Sequence, residues 1–331
     1  MVVAVPSVRR VLVYPVNGYV NRLQALASSA LFAEAVGAPL SVCWTPHPMV
    51  PGPAGDAFAH EWVERHVVSE QACAAEWGVS LASIPLYVGS DPEHARVTLR
   101  GHDRGEQALM TEFRAALARS TDPDDVVIVA GGSFDYQSPE SVDGTWSESF
   151  LTAKRDYYRA LPLHPAVEAA ANEVVDAHPD GFIGLHLRYS DRSHQAPMPG
   201  AIAKAIEDQA GSSGLSSVFI ASDSPAALRE WTDRVRSAGL EPWDLTERFA
   251  GLARATSAGP ALADWRVLSR SSRMVYFAES SYSVEACVAS GSWVESTALA
   301  TSPTRAAGHR LLTWGRAALT YPQRHWGSGQ R

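Results

Sequence analysis

A chain of 331 residues is long enough for about two domains. Its 28 basic and 36 acidic residues leave a net charge of −8, which disfavours a general nucleic-acid binder but allows one local pocket for an anion. Apolar residues at 46% and charged residues at 19% exclude disorder and collagen-like structure, and no apolar run approaches the roughly 18 residues of a membrane span.

In chain order, the opening MVVAVPSVRR sets Pro6 in the apolar part and the arginines after it, reversing the charge order of a secretory signal. Three cysteines (Cys43, Cys73, Cys287) lie far apart without CxxC spacing, so buried thiols and a cytoplasmic protein are expected. Residues 11–14 (VLVY) predict a short strand, followed by Asn17-Gly18 as turn punctuation. Leu23, Leu26, Ala27, Ala30, Leu31 and Ala35 then share one helical face, and Gly37 suits the helix end. Residues 40–44 predict a second strand, completing a unit of the kind that builds parallel sheets.

The pattern weakens over 46–104, where short helices are expected at 61–66 and 69–77. A better helix spans 106–118, a buried strand 126–130, and a further helix 150–161. Leu161-Pro162-Leu163-His164-Pro165 is the expected inter-domain crossing. The second half repeats the plan, with helices at 165–178, 200–210, 226–237, 262–271, 284–290 and 305–318. Strands are expected at 182–187, 217–221 and 274–277. No period of 20–50 residues recurs, which disfavours solenoids and propellers.

Four loops at the C-terminal ends of predicted strands carry the chemistry, since ligands of parallel sheets bind at that edge. In Asn17-Gly18-Tyr19-Val20-Asn21-Arg22, Gly18 permits a tight turn while Asn21 and Arg22 add donors. An ordinary turn with an Asn cap is the simpler reading, and the glycines of GxGxxG are missing. In Gly184-Leu185-His186-Leu187-Arg188-Tyr189-Ser190-Asp191, alternation puts His186 and Arg188 on one face. Arg188 either pairs internally with Asp191 or, as favoured, binds a phosphate with Asp191 orienting it. Ser222-Asp223-Ser224-Pro225 reads as helix capping on spacing alone, with a contact from Asp223 to a base or ribose as the alternative. In Glu279-Ser280-Ser281-Tyr282-Ser283, the hydroxyls at a helix start fit a phosphate cradle or a capping run equally well.

Other signals fail. Asp122-Pro123-Asp124-Asp125 precedes its strand and reads as a turn. No HExxH, zinc spacing, GxSxG or GxxxxGK[ST] occurs, so no metal and no resident cofactor are expected. Most tryptophans read as packing; Trp44, ending the second strand, is a candidate acceptor contact.

Taken in order, these segments resemble the superfamily of core N-glycan and nodulation fucosyltransferases and protein O-fucosyltransferases. GYVNRLQALASSALFAEAVGAPLSVCW resembles its Gly-x-x-Asn loop, helix and strand. IGLHLRYSD resembles its His-x-Arg motif, VFIASDSP its second motif and MVYFAESSYSVEACV its Ser-rich third motif. The match covers about a third of the chain, and the order of the motifs makes the set more specific than any member.

The resemblance implies an α/β, GT-B-like protein of two Rossmann-like domains with a cleft between them. Residues 1–160 would be the acceptor side and 161–331 the nucleotide-sugar side. It implies an inverting, metal-independent transfer from a GDP-sugar, GDP-fucose, to a hydroxyl of a small molecule or glycan. Arg188 would hold the diphosphate, with Ser280, Ser281 and Ser283 along the phosphates. Ser222 and Asp223 would reach the nucleoside, and His186 and Asp191 would shape the donor site. Asn21 and Arg22 would face the reacting sugar, with Gly18 and Arg22 counted in the donor-nucleotide site and Asn21, like Arg188, among the catalytic residues. Asp135, after a predicted strand end, is the candidate general base. The chain departs from the pattern with Arg188-Tyr189 where relatives carry Arg-Arg or Arg-His, and with one Asp in the second motif where others have two. Its alanine-rich, anchorless character suggests a bacterial cytoplasmic enzyme. The rivals are a transferase of another nucleotide sugar and a non-catalytic nucleotide-sugar-binding protein.

Overall fold

Strands form where apolar, β-branched runs occur, and the intervening helices lie back over the sheets, as parallel pairing requires. The computed structural model describes residues 8–77, 88–91, 96–100, 109–120, 125–138, 146–189 and 197–300. The expected helix at 305–318, Asp191 and the turn residues 122–124 lie outside them.

The described elements begin with β1 (Arg10–Pro15), α1 (Tyr19–Ala35), β2 (Leu40–Cys43), a 3-10 turn (Ala54–Asp56), α2 (His60–His66), β3 (Val67–Val68) and α3 (Glu70–Trp77). Next come β4 (Val88–Asp91), β5 (Arg96–Arg100), α4 (Met110–Arg119), β6 (Asp125–Ala130), α5 (Glu148–Ala160) and α6 (Pro165–Ala177). After these follow β7 (Ile183–Leu187), α7 (Pro199–Ser213), β8 (Ser217–Ser222), α8 (Pro225–Ser237) and β9 (Glu241–Trp243). The last are α9 (Thr246–Ala255), α10 (Gly259–Leu268), β10 (Arg273–Phe277), α11 (Ser281–Ser290) and β11 (Thr297–Leu299).

The described residues form two units. The first draws on Met1–Pro179, Leu245–Arg270 and Glu285–Gly291; the second on Asp180–Asp244, Ser271–Val284 and Ser292–Arg331. In the first, the sheet order is β3-β2-β1-β6-β5-β4, parallel throughout except for β4, which runs antiparallel to β5. Val11 pairs with Leu40 on one side and Val126 on the other. Every residue of β6 is buried, as expected of a parallel strand covered on both faces. Leu12, Tyr14, Val127 and Val129 share one face with Cys43 and with Cys73 from α3. All three cysteines are buried, and none forms a disulfide. Helix α6 packs on α10, where Arg266 bonds Glu168 and the Tyr158 carbonyl, so residues 165–177 count with this unit.

In the second unit the order is β11-β10-β7-β8-β9, all parallel. Ile183, Leu185 and Leu187 meet Ile202 and Ile206 of α7 and Trp231 and Val235 of α8. Phe182, Phe219 and Trp243 form a separate aromatic cluster. Caps fall where the sequence marks them. Gly37 is left-handed at φ +65° after α1, and Ser224 Oγ accepts the Ala227 N–H ahead of Pro225. Two α/β units, as expected from the alternating pattern, are the architecture. Strands β3, β4, β5, β9 and β11 and helix α9 were not anticipated from the sequence.

Candidate functional site

In the second unit the chain leaves β7 toward β8 and β9, then returns to place β10 and β11 on the other side. Strand order therefore reverses between β7 and β10, where an open α/β sheet leaves a crevice at its C-terminal edge. Because all its strands are parallel, His186–Arg188, Ser222–Asp223 and Ser280–Ser283 arrive at that one edge. His186 is buried opposite Ala221, and its Nδ1 hydrogen-bonds Ser283 Oγ at 2.6 Å. The Tyr282 ring stacks on the imidazole, centroids 4.5 Å apart. Burial lowers the His186 pKa from 6.5 to about 4; Asp223 opposes this and Arg188 adds to it. The imidazole is thus neutral at physiological pH.

Arg188 follows β7 directly and is half-buried. Asp223 turns one carboxylate oxygen to the Tyr189 N–H at 2.8 Å, tying the loops after β7 and β8. Ser222 Oγ accepts the Ser224 N–H at 3.2 Å. The Ser280 carbonyl accepts the Val284 N–H at 3.0 Å, which makes Ser280 the cap of α11. Its Oγ is buried and meets no protein partner. Ser281 is half-buried beside it. A helix N-terminus, an unanswered hydroxyl, a neutral imidazole and a guanidinium at one edge can stabilise an anion's charge.

In the first unit the reversal lies between β1 and β6. Asn17, at φ +68°, makes the turn into α1, and Gly18 precedes the helix without a side-chain cap. Asn21 Nδ2 donates to the Gly131 carbonyl at 2.8 Å, tying the loops after β1 and β6. A Cβ on Gly131 would fall 2.3 Å from Asn17 Nδ2 and 3.1 Å from Val16 Cγ2, so any larger residue would have to push these side chains aside. Arg22 is buried; its Nε donates to Asn17 O at 3.0 Å and its Nη1 to Thr45 O at 2.7 Å. Its guanidinium carbon sits 4.7 Å from the Trp44 ring centroid, and burial lowers its pKa to about 10. Asp135 is buried, accepting from Gln137 N at 2.9 Å and Ser147 Oγ at 3.4 Å. That is the geometry of a loop brace.

One buried polar network had no sequence signal. Glu285, 1% exposed, accepts from Lys154 Nζ (0% exposed) at 2.8 and 2.7 Å, Tyr158 Oη at 2.6 Å, and Gln24 Nε2 at 2.8 Å. Lys154 also donates to Ser133 Oγ at 2.7 Å. Burial pulls the Lys154 pKa down against the opposing Glu285 charge, and raises that of Tyr158. Tyr282, stacked on His186, was likewise read only as part of a Ser-rich run. Among the described residues, no three His, Cys, Asp or Glu side chains are grouped to hold a metal, and no helix is long and apolar enough to cross a membrane.

No family model matches the chain, and no curated protein matches it. Solved structures do. A variant of Arabidopsis thaliana FUT1 in complex with GDP aligns with TM-score 0.59 and 14% identity, covering 90% of this chain and 72% of that one. The fucosyltransferase NodZ from Bradyrhizobium aligns with TM-score 0.51 and 18% identity, covering 84% and 91%. NodZ alpha-1,6-fucosyltransferase co-crystallized with GDP gives TM-score 0.51 at 19% identity, covering 84% and 91%. At these identities the likeness is one of fold, and the chain has the GT-B fold of these fucosyltransferases.

Proposed function

We propose that the protein is a glycosyltransferase that moves a sugar, fucose in the first instance, from a GDP-sugar to an acceptor hydroxyl, with inversion and without a metal. The second unit would bind the donor and the first the acceptor, with Trp44 among the acceptor contacts. The observation that carries this reading is the reversal edge of β7 and β10, where Ser280 Oγ has no protein partner beside the neutral His186. Two of the solved structures sharing the fold were determined with GDP.

In such a transfer the bond between the anomeric carbon and the diphosphate oxygen breaks while the acceptor oxygen bonds to that carbon. Negative charge grows on the departing diphosphate as the sugar turns oxocarbenium-like. Arg188 and the N-terminus of α11 would meet that charge, preorganised and partly out of water. Ser280, Ser281 and Ser283 would line the phosphates. His186, its Nδ1 engaged by Ser283, would hold this wall in place and contribute no competing positive charge. Ser222 and Asp223 would border the nucleoside, and Asn21 would brace the acceptor-side loop. Asp135 would take the acceptor proton as general base, its carboxylate oriented by the Gln137 N–H and Ser147 Oγ.

The test is thermal denaturation with GDP, UDP, ADP and dTDP, then transfer assays with GDP-sugars with and without EDTA. A nucleotide at a hundredfold its Kd stabilises by about 2.7 kcal/mol. GDP should give the largest shift; a shift with UDP or dTDP alone overturns the donor assignment. Arg188→Ala should fold normally yet lose transfer. Turnover close to that of the unaltered protein would remove Arg188 from the reaction.

A further inference from the structure

The first unit buries a cation without giving it an anion. Arg22 is 1% exposed, and its partners are two backbone carbonyls and the Trp44 ring. No carboxylate pairs with it among the described residues. Two carbonyls and an indole offset the desolvation of a guanidinium only in part. The surroundings add positive potential: α1 starts at Gly18 without a side-chain cap, and its first turn holds no acidic residue. A separate observation points the same way. Trp44 is 7% exposed, and its indole Nε1 is buried without a protein partner. The Arg22 Nη2 edge and the Trp44 N–H are thus neighbouring donors that the protein leaves unanswered.

We propose that Arg22 and Trp44 form an oxyanion subsite, and that the group it takes is a carboxylate or phosphate carried by the acceptor. The word acceptor rests on the transferase reading; the subsite itself does not. Motif position alone set Arg22 with the donor nucleotide. Its contacts, however, are with Trp44 and Thr45 after β2, which joins it to the residue that the sequence assigned to the acceptor. With Nε and Nη1 held by the two carbonyls, Nη2 can donate to one oxygen of an anion and the indole N–H to another.

The indole ¹H–¹⁵N signal of Trp44, assigned by its loss in Trp44→Phe, reports on the subsite directly. The full chain is titrated separately with acetate, inorganic phosphate and GDP. Acetate and phosphate should each displace the signal saturably, with affinity weakened about tenfold in Arg22→Lys, whose compact ammonium cannot span the two carbonyls and the anion at once. The acetate displacement should persist in saturating GDP. Its disappearance there, or a response to GDP alone, would return the anion to the nucleotide and overturn the acceptor assignment. No response to any of the three would leave Arg22 a structural brace and overturn the subsite. Where Arg22→Lys does not fold, calorimetric titration of Trp44→Phe with acetate makes the same comparison: undiminished binding would refute the indole's part. Failure of the donor reading shows separately, as an absent thermal shift with GDP.

Discussion

Acidification should destabilise the second unit through His186. The imidazole is enclosed by Ser283 and Tyr282, and burial takes its pKa from 6.5 to about 4. Between those values the unfolded chain binds a proton that the folded one refuses. Stability is therefore complete above the ordinary histidine range and is lost as pH falls through it, until the folded imidazole itself titrates. At about 1.4 kcal/mol per pH unit, the displacement is worth roughly 3 kcal/mol at the acid end. Urea denaturation of the protein and of His186→Gln, followed from neutral pH downward, isolates this contribution. The glutamine can still hydrogen-bond Ser283 but does not titrate, so the carboxylates contribute alike to both curves. The unaltered protein should lose stability faster between the two pKa values. Parallel curves would refute a buried, neutral imidazole.

Lys154→Met should cost about 3–5 kcal/mol in chemical denaturation, because it leaves the Glu285 carboxylate buried without its cation. Replacing the set together, as Lys154→Met, Tyr158→Phe and Glu285→Leu, should recover most of that loss. Equal losses in the single and triple variants would show that the ion pair is not the cause. Gly131→Ala should lower thermal stability by about 1–3 kcal/mol, since its methyl would press on Asn17 and on Val16 Cγ2, 3.1 Å away. A melting temperature unchanged by that substitution would rule out the close approach.

The elements that were readable in sequence are those with enough residues to show a period. Residues 11–14, 126–130 and 182–187 are apolar, β-branched runs and became β1, β6 and β7. Val67–Val68, Glu241–Trp243 and Thr297–Leu299 are too short for any alternation to register. The middle of these also carries Pro242, which a sheet tolerates at its edge, where β9 lies. The four loops singled out do follow strands at C-terminal edges, because parallel topology makes that placement automatic once the strands are right. What spacing could not supply is partnership across the chain. Asp223, read as a cap or a base contact, spends one oxygen on Tyr189, 34 residues earlier. Glu285 and Lys154 stand 131 residues apart, and neither has a local pattern that marks it as buried. The chain has only two lysines, and one of them is this one.

The polar network around Glu285 also orders events during synthesis. Gln24 precedes Glu285 by 261 residues, yet both belong to the first unit. A ribosome that has made β1 through α6 has produced every strand of that unit's sheet, but neither α10, which packs on α6, nor the carboxylate for Lys154. The amino-terminal half must then wait, with an unpaired ammonium inside it, while the chain from β7 to β10 is translated. A gene cut after residue 179 should yield insoluble or chaperone-bound polypeptide, although its sheet is complete on paper.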